Sequence, residues 1–425
     1  TIMAELRQNT WSLDEWYDQH VAGNVEYNFS GKFWYTGHSW EGQWGSNQPV
    51  NYKRSSPVLL GGPSEWKEIF GGSTSNAVFG IKTDNSGWCW GSNKYGNLGI
   101  HQPNNSDRSS PVQLPGSWKY FTSIGGPDDE GGGVMAIKTD GTAWAWGTGK
   151  DGRLGLNSPN DQRFSSPNQI GTETTWGYLS FGNTGTGAFG TKTDGTLWNW
   201  GASQYGSGAR NIGPDVKVSS PVQIPGTNWA FGRHAVSGGE RHGAAIKQDG
   251  TMWTWGLGDG GATGVNNPTP QSSPVQVGTD TNWNKVICCG GMNPNLPRFV
   301  SAMKTDGSLW CWGSSNAGAL GNNEGPGNSR SSPLQVPGSW KLDGYNVVPF
   351  GPDNGVIMSC VKQDGTLWGW GGNYEGNLGT NEAAYPHRLY SSPTQCGTAT
   401  HWMRATQCDG GGGGAGKPAG IFISE

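Results

Sequence analysis

Two short stretches of the chain have residue types that could bind a cofactor or a metal ion. Gly256, Gly258 and Gly261 match the GxGxxG spacing that holds a pyrophosphate in dinucleotide-binding proteins. That site also needs a helix directly after the glycines, whereas a loop containing Gly264 and two prolines follows here. Asp128-Asp129-Glu130 has carboxylates suited to a cation, but an acidic run in a glycine-rich loop is typical of a solvated surface. We therefore assign no cofactor and no metal.

Motifs of nucleophilic and hydrolytic catalysis are missing from the sequence. It contains no GxSxG, no HExxH and no EF-hand loop, and its 7 histidines show no ligand spacing. The 7 cysteines include no CxxC pair, and Cys89 and Cys311 lie between tryptophans, so we expect buried apolar side chains and not a disulfide framework. The sequence therefore predicts a protein that is not an enzyme, and an active site in a central channel would lack a convergent catalytic set.

The residues that recur belong to structure and not to chemistry. The clearest copy of the repeat runs from Asp194 to Gly201 and reads Asp-Gly-Thr-Leu-Trp-Asn-Trp-Gly. Asp-Gly between apolar runs is a strong signal for a tight hairpin, since a type I′ turn needs positive φ at both central positions. Trp198 and Trp200 are two residues apart and share one face of a strand. The segment is predicted to be a hairpin leading into a core strand.

This segment occurs seven times at a nearly constant period. The first tryptophan of each copy is at 34, 88, 144, 198, 253, 310 and 368. Each copy continues with a second glycine cluster such as Gly96-Asn97-Leu98-Gly99, then a Ser-Ser-Pro strand. A strand opened by a single tryptophan follows, at 66, 118, 176, 229, 283, 340 and 402. A small-residue strand then leads into the next Asp-Gly turn, which gives four short strands in each repeat.

Four strands in each of seven repeats predict an all-β fold, a seven-bladed β-propeller of four-stranded antiparallel blades. An open solenoid is the alternative. Residues 402–425 hold only two strands of a repeat, and residues 31–60 hold the two that are missing. We therefore expect closure by pairing of N- and C-terminal strands in one composite blade. The predicted domains are an N-terminal arm, residues 1–30, and the propeller, residues 31–425.

The arm carries the signature of a short helix. Ser12 can be its N-cap with Glu15 as the capping-box partner. Its apolar positions are predicted to form an anchoring face made by Trp11, Leu13, Trp16, Tyr17 and Val21. A helix of about ten residues is marginal alone, so this face needs a surface to pack on. That surface is either the propeller itself or another protein.

These repeats resemble the regulator of chromosome condensation repeat family. The resemblance rests on Trp-x-Trp-Gly followed by Gly-x-Leu-Gly and a proline-led strand, as at 368–371, 376–379 and Pro393. It covers residues 31–425 and implies a seven-bladed propeller. Family repeats often carry Gly-x-x-His before the small-residue strand, and here only Gly239 to His242 matches. This departure weakens any transfer of the nucleotide-exchange role of the founding member.

A second resemblance concerns the N-terminal arm. Residues 9–19, Asn-Thr-Trp-Ser-Leu-Asp-Glu-Trp-Tyr-Asp-Gln, look like the opening of structural proteins of marine phages. The first residues show no signal-peptide h-region. Both features favour a protein assembled in the host cytoplasm and carried in the virion, with an extracellular location as the alternative.

Charge and hydropathy exclude two classes of partner. The formal net charge is -4, which gives no basic footprint for nucleic acid. No apolar run approaches the roughly 18–20 residues of a membrane-spanning helix. We therefore expect neither nucleic acid nor membrane insertion.

The irregular sequence lies in the connections that share one face of the propeller, and binding is expected there because variable loops on a rigid scaffold commonly carry it. Four aromatic residues between the glycine clusters are the candidate binding residues: Trp40, Tyr95, Tyr205 and Tyr374. The sequence predicts a binding or structural module, a phage virion component whose residues 1–30 contact other virion proteins or copies of itself. Its loops would meet a host surface glycan or protein. The alternative is a secreted lectin or enzyme inhibitor.

Overall fold

The computed structural model describes most of the propeller repeats. The described residues are 32–39, 42, 45, 52–59, 66–71, 77–102, 106–124, 132–158, 162–182, 187–210, 216–239, 241–289, 298–315, 318–325, 327–348, 357–373, 378, 388–408 and 419–424. The N-terminal arm, with its predicted helix and anchoring face, lies outside them, as do Trp40, Tyr374 and the acidic run at 128–130.

The described residues form 27 strands. In chain order these are β1 Lys32–Ser39, β2 Tyr52–Leu59, β3 Trp66–Gly71, β4 Ala77–Lys82, β5 Ser86–Gly91, β6 Arg108–Ile124, β7 Gly133–Lys138, β8 Ala143–Thr148, β9 Arg163–Gln169, β10 Trp176–Phe181, β11 Gly187–Lys192, β12 Leu197–Ser203, β13 Val216–Ile224, β14 Val236–Gly238, β15 His242–Ile246, β16 Met252–Gly256, β17 Gln271–Gln276, β18 Trp283–Cys289, β19 Phe299–Lys304, β20 Leu309–Gly313, β21 Arg330–Val336, β22 Trp340–Val348, β23 Ile357–Lys362, β24 Leu367–Asn373, β25 Arg388–Gln395, β26 Trp402–Cys408 and β27 Ala419–Ser424.

The strands pair into seven antiparallel blades, which confirms the predicted fold class. Blades 4 to 7 are the four-stranded sheets β10–β13, β14–β17, β18–β21 and β22–β25. Blades 2 and 3 share β6, a strand of 17 residues, and form one seven-stranded sheet. The sequence predicted two strands there. Strand β5 pairs with β6 as far as Ser117 and β7 pairs with it from Trp118 onward, so pairing continues across Gly116, where the chain bends with φ +103.

The remaining blade is composite. Its strand order is β2-β1-β27-β26, and Lys32 pairs with Ser424 while Gly37 pairs with Ala419. Strand β26 contacts β22 and β23 of blade 7 and β3 of blade 2. The two ends of the chain therefore lie in one sheet that touches both of its neighbours.

The connections divide the propeller into two faces. The Asp-Gly face holds the hairpins between the second and third strands of blades 2 to 7, at 84–85, where the pair is Asp-Asn, and at 140–141, 194–195, 249–250, 306–307 and 364–365. The loop face holds the connections between the first and second strands and between the third and fourth strands. Each hairpin on the Asp-Gly face also reaches the next blade, for example through the Trp229 amide, which donates to the Gly195 carbonyl over 3.0 Å.

The second tryptophan of each Trp-x-Trp strand joins two blades. Trp200 in β12 is fully buried, and its indole Nε1 donates to the Arg153 carbonyl of the preceding blade over 2.9 Å. A Cβ at Gly155, whose φ is +70, would lie 2.9 Å from that Nε1 atom. The bond recurs between Trp146 and Asn97 over 2.7 Å and in three later blades, from Trp255, Trp312 and Trp370. The Gly-x-Leu-Gly cluster is therefore a blade joint in which glycine makes room for the tryptophan.

The first tryptophan belongs to a motif on the Asp-Gly face, which we call the lysine station. In blade 4 the Lys192 Nζ atom lies 4.8 Å from the Trp176 ring centroid and 3.9 Å from that of Trp198. The Trp198 Nε1 donates to the Thr196 hydroxyl over 2.8 Å, and that hydroxyl donates to Asp194 Oδ1 over 2.6 Å. Each of blades 2 to 7 has an equivalent lysine between two tryptophan rings. Cation–π contacts of this kind stabilise each hairpin against its own blade.

The cysteines follow the sequence prediction within the described side chains. Cys89, Cys288, Cys289, Cys311, Cys360 and Cys396 are all free and buried. Burial raises the pKa of the Cys311 and Cys396 thiols to about 12. These thiols therefore stay protonated and pack in the core as apolar side chains. Among the residues that the structure describes, no helix has the length and apolar character to cross a membrane.

Candidate functional site

Tyr95, one of the four predicted binding residues, lies on the loop face at the tip of a tight turn. The Gly96 amide donates to the Asn93 carbonyl over 3.3 Å and closes the turn. Asn93 is buried, and it holds the turn through bonds to Asp107 and Ser106 over 2.8 and 2.7 Å. The ring position is therefore fixed by buried hydrogen bonds.

An arginine of the next blade lies over the Tyr95 ring. The Arg163 guanidinium carbon is 4.8 Å from the ring centroid, and the Lys94 Nζ atom is 5.3 Å from it. Gly96, whose φ is +77, brings the two blades together, since a Cβ there would lie 3.0 Å from the Ser165 Cα atom. The blade joint thus places two cations around one partly exposed tyrosine.

Tyr205 occupies the equivalent turn in blade 4, in a conformation that bulky residues rarely adopt. Its φ is +52 and it is 44% exposed. The corresponding residue of blade 5 is Gly260, with φ +64, for which this conformation costs nothing. The Arg241 guanidinium carbon lies 5.0 Å from the Tyr205 ring centroid. A strained, exposed aromatic residue is a candidate binding residue because strain persists where the surrounding structure and function require it.

His242, the one match to the Gly-x-x-His pattern, is fully buried beneath the loop face. Burial and the neighbouring Arg298 lower the pKa of the imidazole to about 4. Arg298 in turn forms an ion pair of 3.3 Å with Asp259. His242 is therefore neutral near pH 7 and fills the space above Gly239, which is a structural position.

The first strands of blades 2, 3 and 4 and the turn before β14 of blade 5 meet in a cluster at the axis. Arg233 of blade 5 forms an ion pair with Glu68 of blade 2 and lies over Phe70, its guanidinium carbon 5.6 Å from the ring centroid. Tyr120 and Tyr178 of blades 3 and 4 join the cluster with ring centroids 5.0 Å apart. Burial raises the pKa of both phenols, which keeps them protonated. These groups pack against each other and form no catalytic arrangement among the described residues.

The glycine motif at 256–261 leads into a short turn. Asp259–Gly261 is a single 3-10 turn where a dinucleotide site would need a helix. The described residues contain no group of three or more His, Cys, Asp or Glu side chains that could hold a metal ion. The acidic run at 128–130 is not among those residues.

Sequence reasoning named Tyr95 and Tyr205 as candidates and did not identify the arginines that lie over them. Arg163 and Arg241 come from the next blade in each case, about 35 to 70 residues further along the chain. No short-range pattern links such positions. Aligning the repeats shows only that Tyr95 and Tyr205 occupy the position that Asp151 and Gly260 hold in two other repeats.

Comparison with known proteins supports the fold from both sequence and structure. No protein-family model matches the chain. It is 25% identical over 85% of its length to the E3 ubiquitin-protein ligase HERC2 of Homo sapiens, and 27% identical over 55% of its length to the ultraviolet-B receptor UVR8 of Arabidopsis thaliana. The matched regions span 7% of HERC2 and 50% of UVR8.

The similarity in structure covers nearly the whole chain. The crystal structure of Prp20p from Saccharomyces cerevisiae aligns with a TM-score of 0.70 and 16% identity, covering 93% of this chain and 92% of that one. Together with the repeats and the seven blades, these similarities identify the fold: the chain is a β-propeller like those of the regulator of chromosome condensation (RCC1) repeat proteins.

Proposed function

We propose that this protein is a non-enzymatic, protein-binding propeller that contacts its partner through the loop face. The observation that carries the proposal is Tyr205, an exposed tyrosine held at φ +52 where the next blade has glycine. A scaffold position that tolerates strain and exposure for an aromatic side chain fits a binding role, since tyrosine is enriched at protein interfaces.

The relatives support protein binding as the function. Prp20p, which shares the fold, has binding properties to Gsp1p and histones, so a propeller of this kind can bind proteins. The ligase activity in the name of HERC2 belongs to a protein of which the chain matches 7%. We therefore carry over protein binding and not catalysis.

The finer form of the proposal is a structural component of a phage virion, in the capsid decoration, tail or fibre. Residues 1–30 anchor the propeller to another virion protein or to a second copy, and the loop face points outward. Support comes from the phage-like stretch at 9–19 and from the position of β1. Its first residue, Lys32, pairs with Ser424 at the edge where the other blades have Asp-Gly hairpins, so the arm joins the propeller opposite the loop face.

The test is the protein content of purified particles. Virions from the culture that carries this gene are purified on a density gradient and analysed by mass spectrometry and immunogold labelling. We expect the full chain in particles. We expect a chain lacking residues 1–29 to melt at nearly the same temperature and to be lost from particles. Absence of the full chain from particles would refute the virion role, and unfolding of the shortened chain would make the arm part of the core.

Binding through the loop face is tested separately. In particle-binding or host-binding assays, replacing Trp40, Tyr95, Tyr205 and Tyr374 together should reduce attachment while incorporation stays normal. Unchanged attachment would contradict the role of this face. A glycan array with the full chain separates the lectin alternative, since specific glycan binding lost in the same variant would replace the protein partner by a carbohydrate.

A further inference from the structure

The guanidinium of Arg163 is an exposed cation that lies over an aromatic ring. The side chain lies over Tyr95 at 4.8 Å and is exposed to solvent. It makes no ion pair with any residue that the structure describes. A stacked guanidinium leaves its N–H groups directed sideways, in the planar fork that matches a carboxylate.

Arg330 of blade 6 differs in this respect, and it lies one register position further along its strand: Arg330 pairs with Gly313, whereas in blade 3 Phe164 pairs with Gly147 and Arg163 pairs with Thr148. Both arginines begin the outermost strand of their blade and precede the Ser-Ser-Pro segment. Arg330 is ion-paired with Glu324 of its own loop. In the described part of the equivalent loop of blade 3, the carboxylate is Asp151, and it is ion-paired with Lys217 of blade 4 over 2.6 Å. Among the described residues, the carboxylate that balances Arg330 therefore has no counterpart at Arg163; Asp161, two residues before Arg163 in the sequence, lies outside the described residues.

The surroundings of Arg163 are cationic although the chain as a whole is acidic. Lys94 lies over the same tyrosine ring at 5.3 Å, and Arg108 begins β6 on the same face. The formal net charge of the protein is -4. A local cluster of positive charge on an acidic protein attracts a negatively charged segment and orients it, and this effect declines with added salt.

We propose that the Tyr95–Arg163 ledge, the surface formed by Lys94, Tyr95 and Arg163 at the joint of blades 2 and 3, binds an acidic peptide segment of the partner protein. One Asp or Glu side chain of the segment accepts two hydrogen bonds from the Arg163 guanidinium, and its stem packs on the tyrosine edge. This inference rests on the proposed function, because it names the chemistry of the partner at the same face.

A nucleic acid fits these observations less well than a peptide. Binding to a phosphate backbone uses an extended basic stripe, whereas here two cations, Arg163 and Lys94, lie at one ring. Asp107, which accepts a hydrogen bond from the Asn93 amide at the base of the turn, adds negative charge beside the ledge. The negative charge of Asp107 repels a polyanion with many phosphates more strongly than it repels a single carboxylate.

The proposal is tested with a fluorescein-labelled hexaglutamate peptide, followed by anisotropy at low and at physiological salt. We expect saturable binding to the full chain that weakens as salt rises. Arg163→Gln should lower the affinity at least fivefold, and Arg163→Lys at least threefold, because lysine keeps the charge and loses the planar fork. Tyr95→Leu should lower it as well, while Tyr95→Phe keeps the ring and should bind like the natural chain.

Arg330→Gln is the matched control, because it removes the same charge from a blade where the arginine is already paired. We expect its affinity to stay within twofold of the natural chain. An equal loss in Arg330→Gln and Arg163→Gln would overturn the proposal, as it would show only a general effect of net charge. No binding of hexaglutamate, or tighter binding of a dT6 oligonucleotide, would also overturn it.

Failure of this test and failure of the proposed function give different results. If hexaglutamate does not bind but the four-aromatic variant still loses attachment, the loop face binds a partner of other chemistry. If both experiments fail, the loop face is not the binding surface. Thermal melting of each variant confirms that the propeller is intact.

Discussion

The two faces of this propeller use the same chemical pair, a cation beside an aromatic ring, in opposite ways. On the Asp-Gly face a lysine lies between two tryptophans in each of blades 2 to 7, and Lys192 has a side chain only 5% exposed. On the loop face Arg163 and Arg241 lie over single tyrosines that remain accessible. Repetition with burial indicates a structural role for the lysines, whereas the binding role of the two exposed pairs is our proposal.

The largest expected effect separates two tryptophans of one strand. Trp200→Ala removes a fully buried ring and its bond to the preceding blade, so we expect a loss of about 3–5 kcal/mol in the free energy of unfolding. Trp198→Ala removes a half-buried ring of a lysine station, and we expect a loss of about 1–2 kcal/mol. Urea denaturation followed by circular dichroism measures both, and equal losses would remove the distinction between joint and station.

We expect acid to destabilise the folded protein through His242, which is buried beneath the loop face. His242 has a folded-state pKa of about 4 because it is buried beside Arg298, whereas an unfolded histidine titrates near 6.5. The unfolded state therefore binds more protons between these values, and stability is complete above about pH 6.5 and falls as the pH drops towards 4. The loss is about 3 kcal/mol.

Melting temperatures of His242→Gln and the natural chain measure this window. The variant should lose less stability between pH 7 and pH 4.5 than the natural chain, whatever its stability at pH 7. Parallel curves for the two proteins would show that His242 does not titrate as stated.

The Asp-Gly face responds to acid in a lower and separate window. The Thr196 hydroxyl and amide hold the pKa of Asp194 below its usual value, and Ser or Thr side chains do the same in the other five stations. A lowered pKa gives stability that is present above about pH 4 and is lost as the pH falls through the folded value. Thr196→Val should cost about 0.5–1 kcal/mol at pH 7, since these bonds are exposed and screened.

The readout is urea denaturation at pH 7 and at pH 3. At pH 3 the difference between Thr196→Val and the natural chain should shrink, because Asp194 is then partly protonated in both. A difference that persists unchanged would mean that the threonine acts by packing alone.

The smallest effect tests strain on the loop face. Tyr205→Gly relieves the positive φ and should leave the free energy of unfolding unchanged or raise it by less than about 1 kcal/mol. Gly260→Ala is the reverse change at the same place in the next blade and should cost about 1 kcal/mol. If Tyr205→Gly is clearly destabilising, the tyrosine is there for stability and its binding role is withdrawn.

The fold could be predicted from the sequence because the repeated residues determine turns and strands through local interactions. An Asp-Gly pair sets the turn in five repeats and a Trp-x-Trp pair sets the strand face in six, so their regular period determines the blades. The joints were not predictable in the same way. The carbonyl that pairs with Trp200 belongs to Arg153, in the preceding repeat, and no local pattern shows which backbone atom lies opposite an indole nitrogen.

The loop face shows the same limit more strongly. Tyr205 was a candidate from its residue type, but its positive φ and the covering Arg241 arise from tertiary structure. The continuous strand β6 was also not predicted, since Leu114-Pro115-Gly116-Ser117 looks like a turn. Gly116 does bend the chain there with φ +103, and the strand is continuous because pairing passes from β5 at Ser117 to β7 at Trp118.

The composite blade has a consequence for the order in which the protein is made on the ribosome. Strands β1 and β2 are synthesised before the other strands of the propeller, and β27, the partner of β1, begins 360 residues after Leu59. At roughly 5–20 residues per second, the free edge of β1 waits on the order of 20–70 seconds for its neighbour. An unpaired strand edge is a template for aggregation. A chaperone that covers nascent β-edges, or slow codons late in the gene, should therefore affect the yield of this protein more than its final stability.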